Sequence, residues 1–182
     1  MKIFDISASK TGTTSLAQAM QILGYRSSHG CPPAYANDYV DKVTHGRFDF
    51  KVVADHDFIG NLLNYFYFDL ERLYPGSKYI FLWRDEQEWL CSTLNQLKKN
   101  PLENTKTLTP AVINRLLNIN CLTTADQDFL LKKYRLHREG VLEHFKDSKN
   151  LLIMDIHEGW TPLCQFFGKP LPTESFPHLN VS

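Results

Sequence analysis

Short apolar runs alternate along this chain with segments of helical period, and that alternation restricts its fold more than any other feature. Residues 2–6 are apolar and suit a strand. Residues 13–23 follow with Leu16, Ala19, Met20 and Leu23 on one helical face, and Gly24 stands where such a helix stops. Residues 50–54 (Phe-Lys-Val-Val-Ala) read as a second buried strand, and residues 58–74 as a helix rich in aromatics from Tyr65 to Phe68. Pro75-Gly76 marks a turn, residues 78–83 (Lys-Tyr-Ile-Phe-Leu-Trp) are the clearest strand, and residues 86–98 the next helix. Residues 125–145, 151–154 and 160–167 complete the series as helix, strand and helix. Apolar strands alternating with helices predict an α/β fold, a parallel sheet flanked by helices. Residues 100–124 break the pattern: polar, with Pro101 and Pro110, they read as an inserted lid, part helical and part irregular. The chain of 182 residues fits a single domain spanning 1–182.

The charge balance narrows the function classes. Lys plus Arg and Asp plus Glu are both 20, for a formal net charge of zero, which argues against a nucleic-acid binder working through a broad basic surface. No apolar run reaches the length of a bilayer span and no signal peptide is visible, so no membrane association is expected and a cytoplasmic location is. Cys31, Cys91, Cys121 and Cys164 are widely spaced and form no CxxC pair, so neither zinc nor a disulfide framework is implied.

In an open parallel sheet, ligands gather at the carboxyl ends of the strands. The polar clusters predicted at such ends are the loop Ser9-Lys10-Thr11-Gly12-Thr13-Thr14-Ser15, then Asp55-His56-Asp57, Arg84-Asp85 and residues 155–158. A loop between a first strand and a first helix is an anion site, because backbone N–H groups and the helix dipole point outward there. Gly12 allows close approach, Thr13, Thr14 and Ser15 add hydroxyls, and Lys10 adds a charge. The Walker A pattern GxxxxGK[ST] fits poorly: with its second Gly on Gly12, its first falls on Ser7 and its Lys on Thr13. The loop suits an anion but lacks the lysine that reaches the terminal phosphates of a nucleoside triphosphate.

The run Lys10-Thr11-Gly12-Thr13-Thr14-Ser15-Leu16 resembles the 5′-phosphosulfate loop of sulfotransferases that use 3′-phosphoadenosine 5′-phosphosulfate (PAPS). Arg84 at the end of a strand, with Ser92 eight positions later on the next helix, resembles the pair with which that family holds the donor's 3′-phosphate. Residues 73–78, 158–168 and 176–180 also look like a widespread branch of small sulfotransferases. The resemblance implies a P-loop NTPase-like sulfotransferase fold. It also implies transfer of a sulfuryl group from PAPS to a hydroxyl or amine of a small-molecule or glycan acceptor, with release of 3′,5′-ADP and no metal. Lys10 would stabilise the bridging oxygen, Thr11, Gly12, Thr13, Thr14 and Ser15 would hold the 5′-phosphate, and Arg84 and Ser92 the 3′-phosphate. Asp55 or His56 would be the base that takes the acceptor's proton. Two alternatives share these features: a P-loop kinase acting on a small molecule, and a nucleotide-binding relative without turnover.

Overall fold

The computed structural model describes residues 1–99 and 127–179; the predicted lid and Cys121 lie outside them. Five parallel strands, β1 (Ile3–Asp5), β2 (Ser27–His29), β3 (Phe58–Gly60), β4 (Lys78–Trp83) and β5 (Leu151–Asp155), form one sheet in the order β2-β3-β1-β4-β5. Ile3 pairs with Phe58 on one side and with Lys78 on the other, so the three central strands start level.

The sheet is covered on both faces, and the side chains divide with the period of two expected of strands. Ile3, Phe58, Ile80 and Leu82 join one core with Leu16, Ala19 and Met20 of α1 (Thr13–Ile22) and with Leu163. Phe4, Ile59, Tyr79 and Phe81 enter the other core. That second face is closed by Tyr39 of α2 (Ala36–Thr44), Val52 and Val53 of α3 (Lys51–Asp55) and Leu70 of α4 (Tyr67–Leu73). A third cluster joins Trp89, Leu90 and Leu97 of α5 (Glu86–Lys99) to Leu130, Leu131 and Tyr134 of α6 (Gln127–His144). Leu163 lies on the last helix, α7 (Trp160–Phe167). No described helix is long and apolar enough to cross a membrane.

One strand is not where the sequence pattern puts it. Residues 50–54 are not a strand: Lys51–Asp55 is the short helix α3. The paired β-branched residues Val52 and Val53 favour a strand locally. The Asp38 carboxylate from α2 accepts the Lys51 N–H at 2.8 Å, however, and supplies a helix cap from thirteen residues upstream. The strand that neighbours β1 is instead Phe58–Gly60, inside the segment that reads as a helix, and the helix there begins only at Tyr67.

Candidate functional site

β1 ends at Asp5, and the loop that follows turns back into α1 through two residues of positive φ, Lys10 at 74° and Gly12 at 104°. A Cβ on Gly12 would stand 2.8 Å from Cγ1 of Ile156, so the glycine is required by space as well as by conformation.

The carbonyl groups of this loop are tied back into the protein. Thr11 Oγ1 donates to Ala8 O at 2.8 Å, Trp89 Nε1 donates to Ser9 O at 2.9 Å, and Arg84 Nη1 donates to Lys10 O at 3.0 Å. Ser9 Oγ donates to the Asn61 side chain at 2.7 Å. With three successive carbonyls held by side chains, the loop is braced at the start of α1, where backbone N–H groups attract anions. Burial, then the charges of Arg84 and Lys99, push the Lys10 ammonium pKa below its ordinary value. Two further positive charges thus act on Lys10 here, an arrangement that favours an anion beside it.

The hydroxyls of the loop are less available than the sequence suggests. That of Thr11 is spent on Ala8 O. Ser15 Oγ accepts the Leu179 N–H at 2.9 Å from the C-terminal segment that crosses α1. Thr13 Oγ1 lies 3.1 Å from His29 Nε2. Among the side chains of this loop, Lys10 is thus the one carrying a positive charge, while the hydroxyls of Thr11, Thr13 and Ser15 have partners within the protein.

Arg84 follows β4, and its backbone is gripped by Tyr134, whose hydroxyl accepts from the Arg84 N–H at 3.0 Å and donates to Arg84 O at 2.8 Å. The Tyr134 ring stacks on Trp89, with centroids 4.4 Å apart. Arg84 and Ser92 line one open groove along α5, together with Gln87, Glu88, Cys91 and Asn95. The structure thus brings the predicted pair together, and Arg84 Nη1 joins that groove to the loop. Glu88 also reaches Arg84 Nε at 3.3 Å.

Asp55 and His56 are not brought to this site, which corrects the expectation placed on them. They precede β3 instead of following a strand, so they lie at its amino end, beside the start of β1. There Lys2 Nζ donates to His56 O at 2.6 Å, and Tyr35 donates to the Asp55 carboxylate at 3.0 Å. Asp57 forms a paired contact with Arg26 at 3.0 and 3.1 Å, which holds its carboxyl pKa down at about 2. The misplaced strand is the physical reason: moving it from 50–54 to 58–60 moves these residues to the opposite edge of the sheet. At the carboxyl end of β3 stands Asn61, with φ 51°.

Trp89, Tyr134, Asn61 and His29 also border the loop or Arg84, and no local sequence pattern points to the last three. Trp89 had a signal, five residues past Arg84 on the inner face of a helix; the others depend on contacts distant in sequence.

A family model described as the sulfotransferase domain matches residues 2–182. The chain belongs to the sulfotransferase domain family. This sulfotransferase-family chain is also similar to Ava biosynthesis cluster protein M of Aspergillus versicolor, with 23% identity over 215 aligned positions that cover all of this chain and 82% of that protein. Among its described residues, no group of three His, Cys, Asp or Glu side chains is placed to hold a metal ion.

Proposed function

We propose that this member of the family transfers a sulfuryl group from PAPS to a hydroxyl or amine of a small-molecule or glycan acceptor and releases 3′,5′-ADP. The observation that carries this is the bond from Arg84 Nη1 to Lys10 O, which makes one continuous site of the anion loop and the α5 groove. Such a site suits a ligand with phosphate at two separated positions. The N–H groups of residues 11–15 hold the 5′-phosphate, and Arg84 and Ser92 hold the 3′-phosphate. Lys10 neutralises charge on the bridging oxygen as the sulfur–oxygen bond breaks.

Titration calorimetry with 3′,5′-ADP in the absence of Mg²⁺, and separately with Mg-ATP, tests the donor assignment. Binding of 3′,5′-ADP is expected, and binding of Mg-ATP with no affinity for 3′,5′-ADP would establish the kinase alternative instead. A transfer screen with labelled PAPS over an acceptor library tests turnover. Lys10→Ala is expected to lower transfer by about a hundredfold or more, the scale of losing one charge-stabilising group. Donor binding without transfer to any acceptor would favour a relative without turnover.

A further inference from the structure

Removing Asp55 and His56 from the site leaves the acceptor's proton without a destination, and β2 ends on a group that can receive it. The two proposed donor anchors lie on β1–α1 and on β4–α5. In the order β2-β3-β1-β4-β5, both are on one side of β1 or at it, and β3 and β2 lie on the other. In-line displacement brings the acceptor in opposite the leaving group, hence from the β3–β2 side. His29 is the last residue of β2, and its Nε2 is 3.1 Å from Oγ1 of Thr13, the first residue of α1. Position 13 is where a Walker A loop places the lysine that reaches terminal phosphates, so His29 borders the position of the transferring group. Gly60 at the end of β3 flanks the ring: a Cβ there would stand 3.4 Å from His29 Cδ2, an ordinary contact distance.

We propose that His29 takes up the acceptor's proton, with Nε2–H donating to Thr13 Oγ1 and the lone pair on Nδ1 left for the acceptor. The proposal rests on the PAPS-dependent function above. In the step, the acceptor's O–H or N–H proton passes to Nδ1, its oxygen or nitrogen bonds to sulfur, and the bond from sulfur to the bridging oxygen breaks. The electron pair leaves on 3′,5′-ADP. Thr13 orients the base, as a third group orients the imidazole in nucleophile–base pairs. Burial pushes the His29 pKa below its ordinary value, which keeps the ring neutral and able to accept a proton at pH 7. Thr13 and Gly60, which face the ring from α1 and β3, do not titrate.

The test uses His29→Gln, which retains an N–H for Thr13 without basicity, and His29→Ala. Both are measured by labelled-PAPS transfer and by 3′,5′-ADP calorimetry. Expected are a loss in kcat of about a hundredfold or more in both, and 3′,5′-ADP affinity kept within about threefold. Added imidazole is expected to restore His29→Ala about tenfold. A variant that keeps kcat within about tenfold of wild type overturns the assignment. So does a loss of transfer that parallels a loss of 3′,5′-ADP affinity and that imidazole does not restore. An acceptor-free measurement covers the case in which the screen finds no substrate: NMR titration of the His29 ring. Saturating 3′,5′-ADP is expected to raise its pKa by about half a unit and to leave the Nε2–H tautomer. An unmoved ring, or a proton on Nδ1, overturns the proposal. A wild-type chain that binds no 3′,5′-ADP fails earlier, at the donor assignment, and takes this inference with it.

Discussion

Lys10 occupies a backbone region that side-chain-bearing residues rarely adopt, with φ at 74°, a strain of about 1 kcal/mol. The carbonyl bonds from Trp89 and Arg84 on either side hold it there. Trp89 consequently matters to the loop as much as to the core. Trp89→Phe keeps an aromatic ring against Tyr134 but removes the N–H that holds Ser9 O. Its expected effect is a fall in 3′,5′-ADP affinity of about fivefold, the worth of one net hydrogen bond, together with a lower thermal midpoint from the smaller ring in the α5–α6 cluster. Calorimetry with a melting curve on the same sample reads both, and unchanged affinity would show that the bond does not shape the loop. At this scale the turn between β1 and α1 was legible because its residues are contiguous, from Lys10 to Ser15. That Arg84 and Ser92 share one groove was legible because one strand end and two helical turns fix their spacing. His29 and Asn61 were not, since their partners Thr13 and Ser9 are 16 and 52 residues away.

At the scale of elements, residues whose period agreed with their surroundings gave the right structure. Lys78–Trp83 is a strand flanked by a Pro-Gly turn and a helix, and Trp160–Phe167 is a helix ended by Gly168 at φ 61°. α3 was illegible because its cap comes from another helix. Asp38→Ala removes that cap and is expected to cost about 1 kcal/mol of stability, read as a lower urea midpoint. Because α3 leads to the amino edge of the sheet, away from the loop, 3′,5′-ADP affinity should not change with it. A variant that loses donor affinity along with stability would show that the two edges are coupled. Because the strand lies at 58–60 and not at 50–54, Asp55, His56 and Asp57 sit at the opposite edge of the sheet from the loop.

Among the described residues, the buried groups Asp5 and His137 have opposing effects on the stability of the whole molecule. Asp5 is fully buried beneath the loop, its Oδ2 without a hydrogen-bond partner among the described residues, and burial raises its pKa from 3.8 to about 6. The folded state therefore holds that proton more tightly than the unfolded chain, and stability falls as pH rises from about 4 to 6. His137 is buried against Tyr65, 2.8 Å from Ile6 O, and burial lowers its pKa from 6.5 to about 4. Its contribution has the opposite slope, with stability falling as pH drops from 6.5 to 4. Each amounts to about 3 kcal/mol, so the two largely cancel between pH 4 and 6. Asp5→Asn removes one arm. Its urea midpoint is expected to fall steadily from pH 6.5 to 4, where that of the wild type changes less, and a flat profile in the variant would refute the opposition. The bond from Arg84 to Lys10 O has a consequence at this scale too. Under the proposed function, a fragment that fills only the α5 groove steadies the guanidinium that braces the loop. Two fragments, one for each phosphate position, should then bind with positive cooperativity before any linker joins them.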